Sequence, residues 1–495
     1  MTTPAPVSCD ASELHSRAHL LLQQGGRMQM AYAWYPEPDR AELRYLASRG
    51  PGEPFEIWRV GLANGSAPSL AQISPLLGWY EREITDLFGV TFRDHPEPKR
   101  LVLHEGADPG TAPFSPAYPP GRGLVLRDHP DTLPEMEAPD VQRLPWGPVR
   151  ADVVESGEFV FYYIGEHIIH LHPQLFFKHR GMEKRFEGLT PESGVVWAER
   201  VSGVGSFAHA LAYCQAVEAA GACDVPRRAR LLRTLLAEME RLYNHLHYLG
   251  HLADTTTLKV AAAQGKYLEE RAKQLNGKLT GSRFLRGLVT PGGMRRDIEP
   301  GAWLAHELDG LHKQIEAYTR LLGRSNSYLD RLMTTGVLER EVAFDQGATG
   351  PVERASGIDR DLRRDHPYAA YGEAQPAVAR ETAGDAYARA RVRMAETEAS
   401  LALILRILPM LETGPVRAPC APVPNCEGLG WAETPRGSLF YAVHFGEDAR
   451  LRRVKIKSPS FSNWRVFPFT VHGSNMMDYA INEASFGLTI AGCDR

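Results

Sequence analysis

The chain has 495 residues, of which 43% are hydrophobic and 23% charged, with a formal net charge of −4. That balance belongs to a globular protein with apolar material for a large core spread over two or three domains, and it offers no excess of cations to attract nucleic acid. The first residues lack the basic-then-apolar order of a secretory signal, and no apolar run reaches the ~18 residues a membrane helix needs.

Leu14 to Leu22 is apolar enough for a short helix, and Met28 to Trp34 and Ala41 to Ala47 alternate as strands do. Gly78 to Gly89 carries Trp79, Tyr80, Ile84, Leu87 and Phe88 at helical spacing. A helix is predicted there, with Glu81, Arg82, Glu83 and Asp86 falling largely on its other faces. Residues 1–104 thus read as a small α/β unit. Residues 105–142 contain Pro113, Pro116, Pro119, Pro120, Pro130 and Pro134. Proline removes an N–H donor and breaks helices, so this stretch predicts an extended connector.

Residues 143–495 read as one large unit. Phe159 to Ile164 and Ile168 to His172 predict a β-meander, and helices are predicted over Ser206 to Ala220, Arg227 to Leu249, Gly301 to Leu322 and Ala386 to Leu411. The second of these repeats Leu231, Leu235, Met239, Leu242, Leu246 and Leu249 at three- or four-residue spacing. Gly437 to Lys457 alternates as strands do. The fold class is α+β: a small N-terminal α/β domain (1–104), a connector (105–142), and a mainly helical domain with peripheral β-structure (143–495).

Cys9, Cys214, Cys223, Cys420, Cys426 and Cys493 form no C-x-x-C pair, so zinc and iron–sulfur sites are not expected in this chain. Scattered cysteines without a signal peptide predict reduced, buried thiols. Gly292-Gly293 ahead of Arg295 and Arg296 predicts a turn rather than an anion-binding loop, and no phosphate-cradling glycine motif is present.

Trp79 to Pro96 reads W-Y-E-R-E-I-T-D-L-F-G-V-T-F-R-D-H-P and resembles the signature of the C-type subunit of NADH:quinone oxidoreductase (complex I). In that family this module holds no cofactor and serves for docking. Glu199 to His209 reads E-R-V-S-G-V-G-S-F-A-H and resembles the first metal-binding motif of [NiFe]-hydrogenase large subunits, E-R-V-C-G-I-C-x-F-A-H. Ser485 to Arg495 reads S-F-G-L-T-I-A-G-C-D-R and resembles the second, S-L-D-P-C-x-x-C-T-D-R. The segments His179 to Lys184, Glu238 to Leu242, Gly292 to Asp297, Asp361 to Tyr368 and Pro435 to Gly437 extend the likeness. The large unit therefore resembles the D-type subunit of complex I, and more closely the large subunit of group 4 hydrogenases such as formate hydrogenlyase. The C-then-D order resembles fused chains of both families.

Where the motifs place four nickel-ligating cysteines, this chain has Ser202, Gly205, Thr489 and Gly492. Nickel and low-spin iron want soft thiolates there, so no metal centre is expected. Metal-bearing relatives carry a C-terminal extension removed after a residue matching Arg495, and this sequence ends at Arg495. The quinone loop of the D-type family, G-P-x-H-P-A-A-H-G, corresponds to residues 147–155, where Arg150 and Val154 replace its histidines. The resemblance makes Glu183 a proton-relay glutamate, Arg436 an arginine over the site and His209 a neighbour of the first motif. Arg180, Asp361 and Arg363 are secondary candidates. His179, Glu238, Glu240, His245 and His247 could extend a buried polar chain, since burial moves such groups toward neutrality. Each has a plainer reading: Arg180 and Glu183 as a core ion pair, one of Glu238 and Glu240 at the surface or capped by arginine, one of His245 and His247 at the surface.

The resemblance implies a subunit of a membrane-associated oxidoreductase complex, peripheral on the cytoplasmic face. It would pack against a small iron–sulfur subunit and antiporter-like membrane subunits, with no cofactor of its own. Three functions stay open. A redox subunit that couples electron arrival to a remodelled, metal-free cavity, or one that reduces a quinone, predicts a deep pocket reaching Ser202, Thr489 and Gly492 and lined by Glu183. A coupling or scaffold subunit predicts that Phe207, Phe486 and Ile490 fill that space. A hydrogenase with unusual ligands predicts bound nickel.

Overall fold

The computed structural model describes residues 3–495 except 63, 109, 120, 126–132, 137 and 151–154. Readings that fall on Met1, Thr2, Pro120, Pro130 and the stretch 151–154, Val154 included, lie outside the described residues.

The N-terminal sheet runs in the order β1-β4-β3-β2, from β1 (Val7–Ser8), β2 (Arg27–Glu37), β3 (Arg40–Ser48) and β4 (Glu56–Gly61). Helices α1 (Leu14–Gln23) and α2 (Gly78–Phe88) accompany it, and β5 (Ser66–Pro68) pairs in parallel with β6 (Thr91–Arg93). In α2 the expected charge pattern needs correction. Glu81, Glu83 and Asp86 are buried, because each meets a partner brought from elsewhere. Glu81 accepts from Ser69 and from the Leu70 N–H. Asp86 accepts the N–H groups of Leu101, Val102 and Leu103. Glu83 pairs with Lys455 and Arg495. The signature helix thus uses its acids to tie the end of the N-terminal unit and the large unit together.

Described residues 105–141 form no helix or strand. The meander gains a strand that the alternation did not mark: β7 (Gln142–Trp146) joins β8 (Glu158–Ile164) and β9 (His167–Gln174). Short helices α3 (Met182–Arg185) and α4 (Pro191–Ala198) lead to the long helices α5 (Ser206–Ala220), α6 (Arg227–Thr255), α7 (Lys259–Thr280) and α8 (Ala302–Arg324). Helix α7 is hard to read in the sequence because its inner face is mostly small and polar, with Ala261, Ala262, Gly265, Ala272, Asn276 and Thr280 beside only two leucines, Leu268 and Leu275. Those residues let it lie close to α6: a Cβ on Gly265 would sit 2.5 Å from the Gly250 Cα. The hairpin of β10 (Val289–Thr290) and β11 (Gly293–Met294) turns at Gly292, as predicted.

Five short helices follow: α9 (Asn326–Leu332), α10 (Arg340–Asp345), α11 (Pro351–Ala355), α12 (Leu362–Asp365) and α13 (Tyr371–Ala374). Then come α14 (Ala386–Ile407) and the antiparallel sheet β12 (Glu427–Thr434), β13 (Gly437–Phe445) and β14 (Leu451–Lys457). The chain closes with α15 (Pro459–Val466), α16 (Tyr479–Phe486) and α17 (Ile490–Asp494). Sheet β7–β9 is part-exposed, with β7 exposed and the middle of β8 buried, whereas every residue of β13 is buried. Helix α5 covers β12 and β13, and strand β2 reaches β14 and places Tyr32 and Trp34 against His444 of β13.

The cysteine expectation is corrected at one pair. Cys223, just after α5, and Cys420, in the segment between α14 and β12, form a disulfide across 197 residues. The two segments run side by side there, with the Ala421 carbonyl against Gly221. Cys9, Cys214 and Cys493 are free and buried, and Cys426 is half-buried.

Candidate functional site

The two degenerate motifs end in the same way. Each leads into a helix N-terminus, α5 after Gly205 and α17 after Thr489. A helix start carries unpaired N–H groups and a partial positive charge. In both cases a distant carboxylate meets them. Glu240 of α6 accepts from the Phe207 and Ala208 N–H groups at 2.8 and 3.0 Å. Glu155 accepts from the N–H groups of Ile490 and Ala491. Arg180 then clamps the motifs together, donating to the carbonyls of Arg200 and Val201 on one side and of Ala491 on the other.

The result is a cavity of about 20 Å³ between the two helix starts and the β12–β13 turn. Ser202, Gly205, Thr489 and Gly492, the four positions singled out in the sequence, all line it, with His209 and Arg436. Its remaining wall is Thr434, Pro435 and the segment Ser458, Pro459, Ser460. It has room for about one water molecule. Hydroxyl groups crowd one side: Ser460 Oγ and Thr489 Oγ1 are 3.1 Å apart. A Cβ on Gly492 would meet Thr489 Oγ1 at 2.5 Å and the hydroxyls of Ser460 and Ser458 at 3.5 and 3.6 Å.

His209 Nδ1 lies 2.8 Å from the Tyr441 hydroxyl. Burial, with Arg180's charge adding to it, pulls His209 down to about 3, so its ring is neutral at physiological pH. Arg436 donates to the Gly487 carbonyl and to Asn244 Oδ1, both at 2.8 Å. Burial lowers it to about 10, which leaves it charged. Its turn is held rigidly because Gly350 and Gly437 press backbone to backbone, where a Cβ on Gly350 would sit 2.4 Å from the Gly437 Cα. Side chains thicker than hydrogen cannot enter that contact.

Glu183 does not line the cavity. It is enclosed by Arg453, Arg495 and Lys455 at 2.7, 3.2 and 3.2 Å, and its second acceptor role is filled by the Ile456 N–H. Burial pushes its carboxyl up, but Lys455, Arg453 and Arg495 outweigh that and hold it far below the usual carboxylate range. Nor does it pair with Arg180. Asp361 and Arg363 also lie away from the cavity. Arg363 grips Asp361 through Nε and Nη2 at 3.0 and 2.7 Å and reaches Glu238 at 3.2 Å. Their neighbours Asp359 and Arg364 pair on the surface.

Glu238 and Glu240 are both buried, because α6 is packed by α5, α7, α14 and α16 on its several sides. Arginines cap the first, and the α5 start takes the second. His245 is buried against Glu396 at 2.8 Å and His247 is exposed, as the divergence of the pair predicted. His179 is half-buried, with Nδ1 2.7 Å from the Asp494 carbonyl oxygen. Sequence reasoning missed Tyr441, Asn244, Glu155, Ser458 and Ser460. Ser458 and Ser460 flank a proline directly after a strand, a loop signal that was there to be read.

Two expectations for the space itself are not met. Phe207, Phe486 and Ile490 are buried but do not line the cavity. Nor, among the described residues, do Ser202, Gly205, Thr489 and Gly492 line a pocket deep enough for a quinone: the space they enclose is about 20 Å³. At the loop matched to the quinone site, Arg150 is bound to Glu483 through both Nη atoms at 3.1 and 3.3 Å and stacks on Trp146 and Phe159. The donor set does not fit a nickel–iron centre: two hydroxyls and two glycines replace soft thiolates. Cys493 is fully buried beside them, and burial and the neighbouring Asp494 push its thiol well up, away from the thiolate that ligates metal.

Comparison with known proteins covers most of the chain. Residues 13–122 match the family described as respiratory-chain NADH dehydrogenase, 30 Kd subunit. Residues 265–423 and 419–495 match the 49 Kd subunit, and residues 180–283 match nickel-dependent hydrogenase. Formate hydrogenlyase subunit 5 of Escherichia coli (strain K12) is 31% identical over 83% of this chain and 74% of its own length. The fused C/D 2 polypeptide of NADH-quinone oxidoreductase from Aquifex aeolicus (strain VF5) is 27% identical over 93% of this chain and 90% of its own. Among solved structures, a chain of the membrane-bound sulfane sulfur reductase, an archaeal respiratory membrane complex, superimposes with a TM-score of 0.68 at 26% identity. That match covers 72% of this chain and 99% of the other. No helix among the described residues is long and apolar enough to cross a membrane. With the 30 Kd and 49 Kd types joined in one polypeptide, this chain belongs to the family of fused C/D-type large subunits that includes those of formate hydrogenlyase and NADH-quinone oxidoreductase.

Proposed function

We propose that the chain is the large coupling subunit of a membrane-associated oxidoreductase complex, peripheral on the cytoplasmic face, and that its central cavity works without a nickel–iron centre. Its neighbours in this reading are a small iron–sulfur subunit, which brings electrons, and antiporter-like membrane subunits, which move ions. The cavity carries the reading: about 20 Å³, lined by hydroxyls, glycines, a neutral histidine and a charged arginine. That is room and chemistry for a hydrogen-bonded water, and too little for a quinone headgroup. The role left to such a site is to sense and transmit charge arriving at its partner.

The test is to purify the intact complex, measure its nickel, and assay quinone reduction with an artificial donor. Absence of stoichiometric nickel together with no quinone turnover supports the reading. Stoichiometric nickel, or turnover that Gly205→Ala abolishes, overturns it. The Gly205 variant suits the purpose because its Cβ would enter the cavity with its nearest contact, His209 Cδ2, at 3.6 Å.

A further inference from the structure

On the other side of the β12–β13 turn lies a second pocket, of about 50 Å³, at the seam between the N-terminal sheet and the large unit. Gly50, Pro51 and His366 form its rim, and these three are partly or fully exposed. Glu433 and Lys457, both buried, line it from the ends of β12 and β14. The turn itself divides the two spaces. Glu433 and Ser438 face this pocket, while Thr434, Pro435 and Arg436 between them line the small cavity. A hydrogen-bonded row leads inward, from Lys457 Nζ to Ser438 Oγ at 2.9 Å and on to Thr349 Oγ1 at 2.7 Å.

Glu433 belongs to a fully buried charge network. Arg354 pairs with Glu396, Glu433 and Asp361. Arg363 pairs with Asp361 and Glu238, and Arg241 with Glu238 and Glu396. Four carboxylates face three guanidinium groups, and His245, pulled down to about 4 by burial against the pull of Glu396, adds no charge. One carboxyl is in excess. Glu238, Asp361 and Glu396 are all held below their ordinary values by their arginines. Glu433 goes the other way, raised to about 7 by burial and by Asp361, against Arg354 and Arg241. Burial and Arg27 lower Lys457 to about 7, against the opposing pull of Glu353 and Glu433.

Among the described residues, four buried carboxyls titrate near neutrality and each accepts from at least one fixed donor; Glu433 accepts from Arg354 Nη1 at 3.1 Å and from the Leu362 N–H at 3.4 Å. Glu240 takes the α5 start, Glu81 takes Ser69 and the Leu70 N–H, and Asp494 takes the Lys178 N–H. None of the three lines this pocket. Glu433 combines network, pocket and access.

We propose that Glu433 and Lys457 form a proton-exchanging pair, loaded from solvent through this seam pocket and set back to back with the central cavity. Loading is a proton transfer alone. An O–H bond forms at the Glu433 carboxylate as one breaks in a hydronium of the pocket, no electrons change hands, and release reverses the step. Protonation removes the surplus negative charge among these four carboxyls and three guanidinium groups; beyond them Glu433 is faced by Glu353, itself paired with Arg27, and by Lys457. Its charge state is then felt by Arg241, which donates to the carbonyls of Glu433 and Thr434 at the root of the turn. Only the destination of this effect rests on the coupling reading above.

The test is infrared difference spectroscopy of the full chain in its complex, titrated between about pH 5 and about pH 9. Buried carboxyl C=O absorption should fade across neutral pH, and the component belonging to Glu433, the one missing from the Glu433→Gln spectrum, should have its midpoint near the shifted value. Lys457→Met should move that midpoint upward, because a nearby positive charge favours the ionised carboxyl, while Lys457→Arg should leave it nearly in place. No such absorption, or a difference spectrum unchanged by Glu433→Gln, overturns the proposal. A midpoint unmoved by Lys457→Met breaks the pair, and this comparison decides the matter even if Glu433→Gln does not fold. The readout needs no turnover, so its failure is separable from failure of the coupling assignment.

Discussion

Around Glu183, two carboxylates, its own and that of Glu83, face three cations: Lys455, Arg453 and Arg495. Around Arg354 the ratio is reversed, with four carboxylates against three guanidinium groups. Both clusters are buried in the large unit, and the first also clamps α2 of the N-terminal unit to β14. Where cations are in excess, burial cannot neutralise a carboxyl, and Glu183 stays ionised. Where carboxyls are in excess, the one with the least cationic support rises toward neutral pH, and that one is Glu433. A residue's part in proton traffic therefore follows from the local charge count, and a motif position alone does not give it.

The sharpest way to break the comparison is to remove the arginine that three carboxylates share. Arg354→Met should destabilise the protein by about 5 kcal/mol, because three buried carboxylates lose a partner at once. Thermal or denaturant unfolding measures it, and a loss below about 1 kcal/mol would show the network to be self-sufficient without its centre. Glu183→Gln should cost less, about 3 kcal/mol, since Glu83 still answers Lys455 and Arg495 and only Arg453 loses its carboxylate. Its pH dependence carries the sign. A carboxyl whose folded pKa is depressed adds stability above its unfolded pKa and loses it as pH falls. The gap between wild type and Glu183→Gln should therefore be widest at neutral pH and shrink below about pH 4.5. A gap that widens in acid would mean that Glu183 is held protonated.

The contrast between the clusters was only partly legible in the sequence. Helices α5, α6, α8 and α14 and strands β2, β3, β13 and β14 followed from periodicity, most clearly α6 and α8, whose buried faces repeat leucine. Helix α7 and strand β12 did not. The first buries small residues against glycine, and the second alternates weakly, with Gly428, Gly430 and Ala432 among its buried positions. The convergence of Ser202, Gly205, Thr489 and Gly492 on one cavity came from motif spacing and holds in space. The position of Glu183 did not come through. A motif gives the residue type, whereas the three cations around it arrive from β14 and from the last residue, 270 positions and more along the chain. Glu433 was passed over for the same reason: its surplus depends on counting partners from α6, α11, α12 and α14.

The smallest effect is the control for the comparison. Asp254, near the end of α6, pairs with Lys259 at 2.6 Å and Lys266 at 3.3 Å, and both lysines stand largely in solvent. The hydrogen bond from Lys259 lowers its pKa, as buried cations do for Glu183, so the two carboxylates look alike in direction. Their energies should not. Water screens the outer pair, two long side chains must be ordered to hold it, and an acid near a helix C-terminus opposes the dipole. Asp254→Asn should change stability by no more than about 0.5 kcal/mol, and less again in high salt. Comparing its unfolding midpoint with that of Glu183→Gln at low and high ionic strength separates the two cases. A salt-sensitive Glu183 would mean that water reaches its cluster, and the charge count inside would then no longer govern which carboxyl carries the proton.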